Sequence, residues 1–188
     1  MRSIYLQRFL PSKALKVFAA IILVTALACT VDAQQNSGQV TAGHAAMQKL
    51  GFLAGRWSGP ITVTTGSGTV LHMTQNEHVQ YKLNGLVMLI EGKSTATDGK
   101  VMFSALATVA YNVATHSYRI HAYSGGRYID TKFSVVPEGF SWGFPSGPVK
   151  VMNTMHLTAK RQWKESTSVT FGHRPAMQTV SMLLTRQP

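Results

Sequence analysis

Val70–Leu83 reads VLHMTQNEHVQYKL, Asn84-Gly85 follows, and Leu86–Ala96 reads LVMLIEGKSTA. Two runs rich in β-branched, aliphatic and aromatic residues, joined by Asn-Gly, predict a β-hairpin, because the central residues of a tight hairpin turn need positive φ. The first run alternates: Leu71, Met73, Val79, Tyr81 and Leu83 share one face, and Gln75 and Glu77 share it with them. Two polar groups among apolar ones fit a partly wet interior, a position near a rim, or a bulge that breaks the parity.

The pattern continues on both sides of this hairpin. Upstream, Trp57–Thr65 ends at Gly66-Ser67-Gly68. Downstream, Leu86–Ala96 ends at Asp98-Gly99, Val101–Tyr111 precedes Asn112, His116–Tyr123 ends at Gly125-Gly126, and Tyr128–Val136 ends at Pro137-Glu138-Gly139. Phe140–Phe144 stops at Pro145-Ser146-Gly147-Pro148, and Val149–Ala159, Gln162–Phe171 and Met177–Thr185 complete the series. An open sheet of about ten strands exposes long unpaired edges, so closure as an up-and-down antiparallel barrel is expected: an all-β fold. Alternation turns Val101, Phe103, Ala105, Ala107, Val109 and Tyr111 to one face of their strand. Phe140, Trp142 and Phe144 share a face, as do Val149, Val151, Met155 and Leu157 with Asn153 among them. Before the strands, Thr41 is expected to cap a short helix with Met47 and Leu50 on its inner face.

The 188 residues carry 18 Lys and Arg against 7 Asp and Glu, a formal charge of +11. Charged residues are only 13% and hydrophobic ones 45%, which excludes a disordered polyelectrolyte. A single cysteine, Cys29, excludes a disulfide scaffold or a cysteine-built zinc module. Arg2, Arg8, Lys13 and Lys16 precede the uncharged run Val17–Ala28, VFAAIILVTALA, and Val31-Asp32-Ala33 provides a small-residue exit. A basic start, an apolar run too short to span a bilayer and that exit describe a signal peptide over 1–33, cleaved before Gln34. This predicts export to the periplasm. The alternative is a lipoprotein attached to the membrane through Cys29 after Ala26-Leu27-Ala28. Residues 34–46 then read as linker and helix start, and 47–188 as the barrel domain. Residues 34–188 keep 14 basic against 6 acidic residues, net +8, dispersed without a run of four. Nucleic-acid binders usually cluster such charge, so no nucleic-acid partner is expected.

Leu50-Gly51-Phe52-Leu53-Ala54-Gly55-Arg56-Trp57-Ser58-Gly59 leads into the first strand, and Arg186 closes the last. This arrangement resembles the calycin superfamily of lipocalin, fatty-acid-binding and nitrobindin-like barrels. It is most similar to bacterial lipocalin-like families that open with FLxGxWxG. Further pieces of that pattern are Leu83-Asn84-Gly85, Ile90-Glu91, Tyr111-Asn112 and Trp163-Lys164-Glu165, so the likeness covers about residues 47–186. The resemblance implies that Gly55 and Trp57 sit at the closed end of the barrel with Arg186 packed across the indole. For nitrobindin-like members it also implies haem bound through a histidine. Here Thr154-Met155-His156-Leu157 offers one, but two further strands follow His156 and alternation turns it away from Met155 and Leu157.

No nucleophile elbow, metalloprotease helix, phosphate loop or dinucleotide fingerprint is present, and no catalytic residue or cofactor is assigned. His72 and His78, six apart on one strand, are about 20 Å from each other and cannot share a metal. His121, Arg119 and Tyr123 share a face that is either an anchor for an anionic head group or a solvated outer wall. The expected function is a barrel that holds a small apolar or amphipathic molecule. Its wall would be Tyr81, Phe103, Trp142 and Met155, with Glu77 and Glu91 as polar contacts. The alternative is an enzyme using Glu77 and Glu91, placed about opposite each other across the Asn84-Gly85 hairpin.

Overall fold

The structure, a computed structural model, describes residues 37–188. The expected signal peptide and cleavage site, and Cys29, lie outside the described residues. Residues 37–48 form a helix (α1), so Thr41 lies inside it rather than at its start. Its hydroxyl bonds back to the Ser37 carbonyl at 2.9 Å, satisfying itself within the helix instead of capping it. A 3-10 turn at Gly51–Leu53 leads into ten strands. These are β1 (Gly55–Thr64), β2 (Val70–Lys82), β3 (Val87–Thr95), β4 (Val101–Asn112), β5 (Ser117–Ser124), β6 (Arg127–Val136), β7 (Gly139–Ser146), β8 (Val149–Leu157), β9 (Trp163–Phe171) and β10 (Met177–Gln187).

Each strand pairs antiparallel with the next in sequence, and β1 pairs with β10, closing the barrel. Closure leaves no edge strand, since every strand has a neighbour on each side. The strand limits follow the turn residues. Leu83, Asn84 and Gly85 all take positive φ (48°, 53° and 90°), which lets the chain reverse between Lys82 and Val87. The turn therefore holds four residues where a two-residue reversal is the tighter alternative.

At the end where β1 begins, the interior is sealed. Met47, Leu50, Leu53, Trp57, Val79, Met88, Val109, Phe133 and Leu184 are fully buried there. An unbroken aromatic line crosses this layer: Trp57–Trp163 at 5.7 Å, Trp163–Phe140 at 5.9 Å and Phe140–Phe133 at 4.8 Å between centroids. Each such contact contributes about 1 kcal/mol beyond burial.

Residues 46–54 are tied to the barrel by side chains that donate to their backbone carbonyls. The Tyr118 and Tyr81 hydroxyls donate to Ala46 and Met47 carbonyls, both at 2.8 Å. Burial pushes both phenols above their ordinary pKa, so they remain donors. The Trp57 indole N–H donates to Leu53 O at 2.8 Å, and Arg186 donates to the Phe52 and Ala54 carbonyls. The Arg186 guanidinium lies 4.2 Å from the Trp57 ring centroid, a cation–π contact. Gly55 has φ +126°, and a Cβ there would fall 2.6 Å from the Arg186 Nη1, so this position demands glycine on two counts.

Candidate functional site

At the opposite strand ends the interior is less tightly filled. Inward-facing Val63, Met73, Ile129, Phe144, Val169 and Val180, near the opposite strand ends, are only half-buried. The same alternation that packs Trp57, Met88 and Phe133 solidly at the sealed end here lines an apolar cup.

Between sealed layer and cup lies a band of inward-facing polar side chains in two groups. On β2 and β3, Gln75 donates from Nε2 to Glu77 Oε1 at 2.7 Å, and the Ser94 hydroxyl donates to Gln75 Oε1. On β8 and β9, Thr167 donates to Asn153 Oδ1 at 2.7 Å, and the Trp163 indole N–H donates to Glu165 Oε2 at 2.8 Å. Gln75, Ser94 and Asn153 are buried, and among the described residues no buried side-chain nitrogen or oxygen lacks a partner. The Glu77 carboxylate lies over Gly92, where a Cβ would come within 2.8 Å of Oε1 and 2.9 Å of Oε2. A glycine at that point of β3 makes room for the acid.

Both carboxyls are shifted upward by their surroundings. Burial raises Glu77 from 4.5 to about 7, the hydrogen bond from Gln75 opposing it. Burial raises Glu165 from 4.5 to about 8; the Trp163 hydrogen bond lowers it and the Glu77 charge raises it further. Near neutrality Glu165 is therefore mostly a neutral acid able to donate a hydrogen bond, while Glu77 is poised between forms. Such a floor can orient an alcohol, carbonyl or amine at the base of an apolar cup.

The residues expected from sequence fall in different places. Glu77 is in the polar band, Trp142 is half-buried on the inner face of β7, and Phe103 is at the open end, 47% exposed. Met155 is 1% exposed within the packed core, and Tyr81 is bound to the Met47 carbonyl at the sealed end. Glu91 does not share the interior with Glu77. The bonded register sets Glu77 opposite Gly92 and His78 opposite Glu91. Glu91 is thus on the outer wall, exposed, with its Oε2 3.7 Å from His78 Nδ1. A one-residue offset in a hairpin turns a side chain to the other face, which undoes the expected pair. The acid that does face Glu77's side of the barrel is Glu165, in Trp163-Lys164-Glu165. Its signal was the two-residue spacing from Trp163, which sends both side chains inward.

His156 is exposed between buried Met155 and Leu157, so it faces outward. His72, His78 and His121 also lie on the outward parity of their strands, and His116 and His173 lie in turns. No strand histidine among the described residues faces the interior, and no group of three His, Cys, Asp or Glu side chains could hold a metal. The chain's residues do not fit a haem held through an interior histidine. On the outer wall of β5 and β6, Arg119 donates to Asp130, and His121 Nδ1 is 2.8 Å from the Tyr128 hydroxyl. The trio of His121, Arg119 and Tyr123 is therefore part of a surface network outside the cup.

Strand order and closure define the class: a closed ten-stranded antiparallel barrel, consistent with a calycin-like fold. Among solved structures, the crystal structure of Rv2717c from M. tuberculosis shares this fold with a TM-score of 0.58 at 14% identity. The match covers 76% of this chain and 98% of that one. No protein-family model matches the chain, and no curated protein matches it in sequence.

Proposed function

We propose that this chain is an exported, lipocalin-like barrel that binds a small apolar or amphipathic molecule in its cup. The carrying observation is the division of one continuous inner surface into a solidly packed half and a less tightly filled apolar half, with a polar band between them. A fold needing only stability would fill both halves, since each large apolar side chain fully buried contributes about 1.5–3 kcal/mol. It would also leave out two carboxyls whose burial costs free energy. The ligand's apolar part would lie against Val63, Met73, Ile129 and Val180, and an uncharged polar group on it would meet Glu77 and Glu165. Export rests on the basic start, short apolar run and small-residue exit of residues 1–33.

The test is native mass spectrometry of protein purified without detergent from its own host. The expected result is a non-covalent adduct that Ala105→Trp, which points an indole into the cup beside Gly92, abolishes. Consistently bare protein from such preparations would count against ligand binding.

A second reading rests on the two carboxyls with different upward shifts, a pattern that suits paired acid–base work. Glu165 would protonate a leaving group while Glu77 takes a proton. It predicts that Glu165→Gln abolishes hydrolysis of some glycoside or ester in a substrate panel. Retained turnover in Glu165→Gln would eliminate it.

A further inference from the structure

The barrel wall is incomplete between β6 and β7. β6 runs over ten residues and β7 over eight, yet they pair only from Phe133↔Trp142 to Val136↔Gly139, at the sealed end. Beyond Phe133 no further paired residues follow, and the Thr131 hydroxyl donates to the Gly143 carbonyl at 2.8 Å. A side chain on β6 thus supplies a donor to a β7 carbonyl where the paired register has ended.

A cleft of about 470 Å³ lies here, within the range of small-molecule sites. Its lining combines both faces of the wall. Thr131, Trp142 and Phe144 belong to the inner face, and the two rings are stacked at 5.8 Å with 21° between planes. Lys132, Lys150 and Met152 belong to the outer face. Among the described residues, the ion pairs join His78 to Glu91, Arg119 and His121 to Asp130, and Arg161 to Glu138; neither lysine takes part in one. Two lysines without ion-pair partners therefore flank a cleft that the Trp142 and Phe144 rings help line.

We propose that this cleft binds an amphipathic anion, with its head group between Lys132 and Lys150 and its chain passing Trp142 and Phe144 into the cup. The inference rests on the cup being a ligand site and adds the charge of the ligand and the side from which it is held. A carboxylate, sulfate or phosphate head would satisfy both ammonium groups.

The test is calorimetric titration with dodecanoate and with dodecanol, which differ at the head group. Wild-type protein, Lys132→Ala/Lys150→Ala and Ala105→Trp are compared at low and at physiological salt. Ala122→Trp on the neighbouring strand provides a second filled cup should Ala105→Trp not fold. The inference expects the double lysine variant to weaken dodecanoate about tenfold, with dodecanol unchanged, since only dodecanoate carries the charge the two ammonium groups would hold. It also expects both filled-cup variants to weaken both probes. If filling the cup weakens both probes while the lysine variant binds dodecanoate normally, the cup stands and the cleft is overturned. If the lysine variant loses dodecanoate while the filled-cup variants bind it normally, the cup reading fails and the chain does not pass through the wall. Absence of dodecanoate binding by the wild type overturns the inference outright.

Discussion

Glu165→Gln isolates the cost of holding a carboxyl in this interior. Glutamine keeps an oxygen that can accept the Trp163 indole N–H, so packing and the 2.8 Å hydrogen bond are retained while titration is removed. In the wild type the folded-state value is about 8 against 4.5 for the ordinary group. Because the folded value is raised, the neutral acid is the form the fold prefers. The associated stability is fully present below about pH 4.5 and is lost as pH rises through about 8. At about 1.4 kcal/mol per pH unit the ceiling of this loss is about 5 kcal/mol. Half-burial of the residue and contact with the cup reduce it to about 2–4 kcal/mol, still a large part of a typical stability of roughly 5–15 kcal/mol. Urea unfolding followed by tryptophan fluorescence at about pH 5 and about pH 9 measures the difference. Wild type and Glu165→Gln should be close at the lower pH, and the variant should be the more stable at the higher. Stability curves that run parallel across this range would refute the placement of Glu165 in a poorly solvated interior.

Three further outcomes follow from named contacts. Gly55→Ala should cost about 1–3 kcal/mol in thermal or urea unfolding, because it forces a positive φ on alanine and presses Cβ against Arg186. Gly92→Ala should displace the Glu77 carboxylate and weaken binding of whatever ligand the native protein carries, read by native mass spectrometry, whereas exposed Glu91→Gln should change stability by no more than about 0.5 kcal/mol. Mature protein recovered from the host should begin at Gln34 by intact mass; a mass that includes a diacylated Cys29 would instead support membrane attachment.

The barrel was legible because most strand boundaries are marked by residues whose backbone needs are local. Asn84-Gly85, Asp98-Gly99 and Gly125-Gly126 supply turn conformations, and the structural limits of all ten strands lie within two residues of those read from the pattern. Period-two alternation was equally reliable for Val109, Phe140 and Met155, since one buried face fixes parity. The start of α1 was less legible. Residues 37–40 are polar and glycine-containing, a composition shared by linkers and exposed helical turns. The site was harder because it depends on register and on strands far apart in sequence. Glu77 could be seen as a polar group on an apolar face, but its neighbourhood could not. Placing Glu91 beside it required ignoring one residue of offset, and finding Glu165 required knowing that β9 and β2 are separated only by β10 and β1 in the closed barrel. The short pairing of β6 and β7 was not readable at all, because the Thr131 hydroxyl meets the Gly143 carbonyl only once the two strands lie side by side.

A crystal structure of the protein grown with dodecanol tests the central claim most directly. The account predicts the alkyl chain along Val63, Met73 and Val180, with its hydroxyl within hydrogen-bonding distance of Glu77 or Glu165. An upper interior closed by inward-folded side chains, with dodecanol absent or confined to the outer wall, would contradict it.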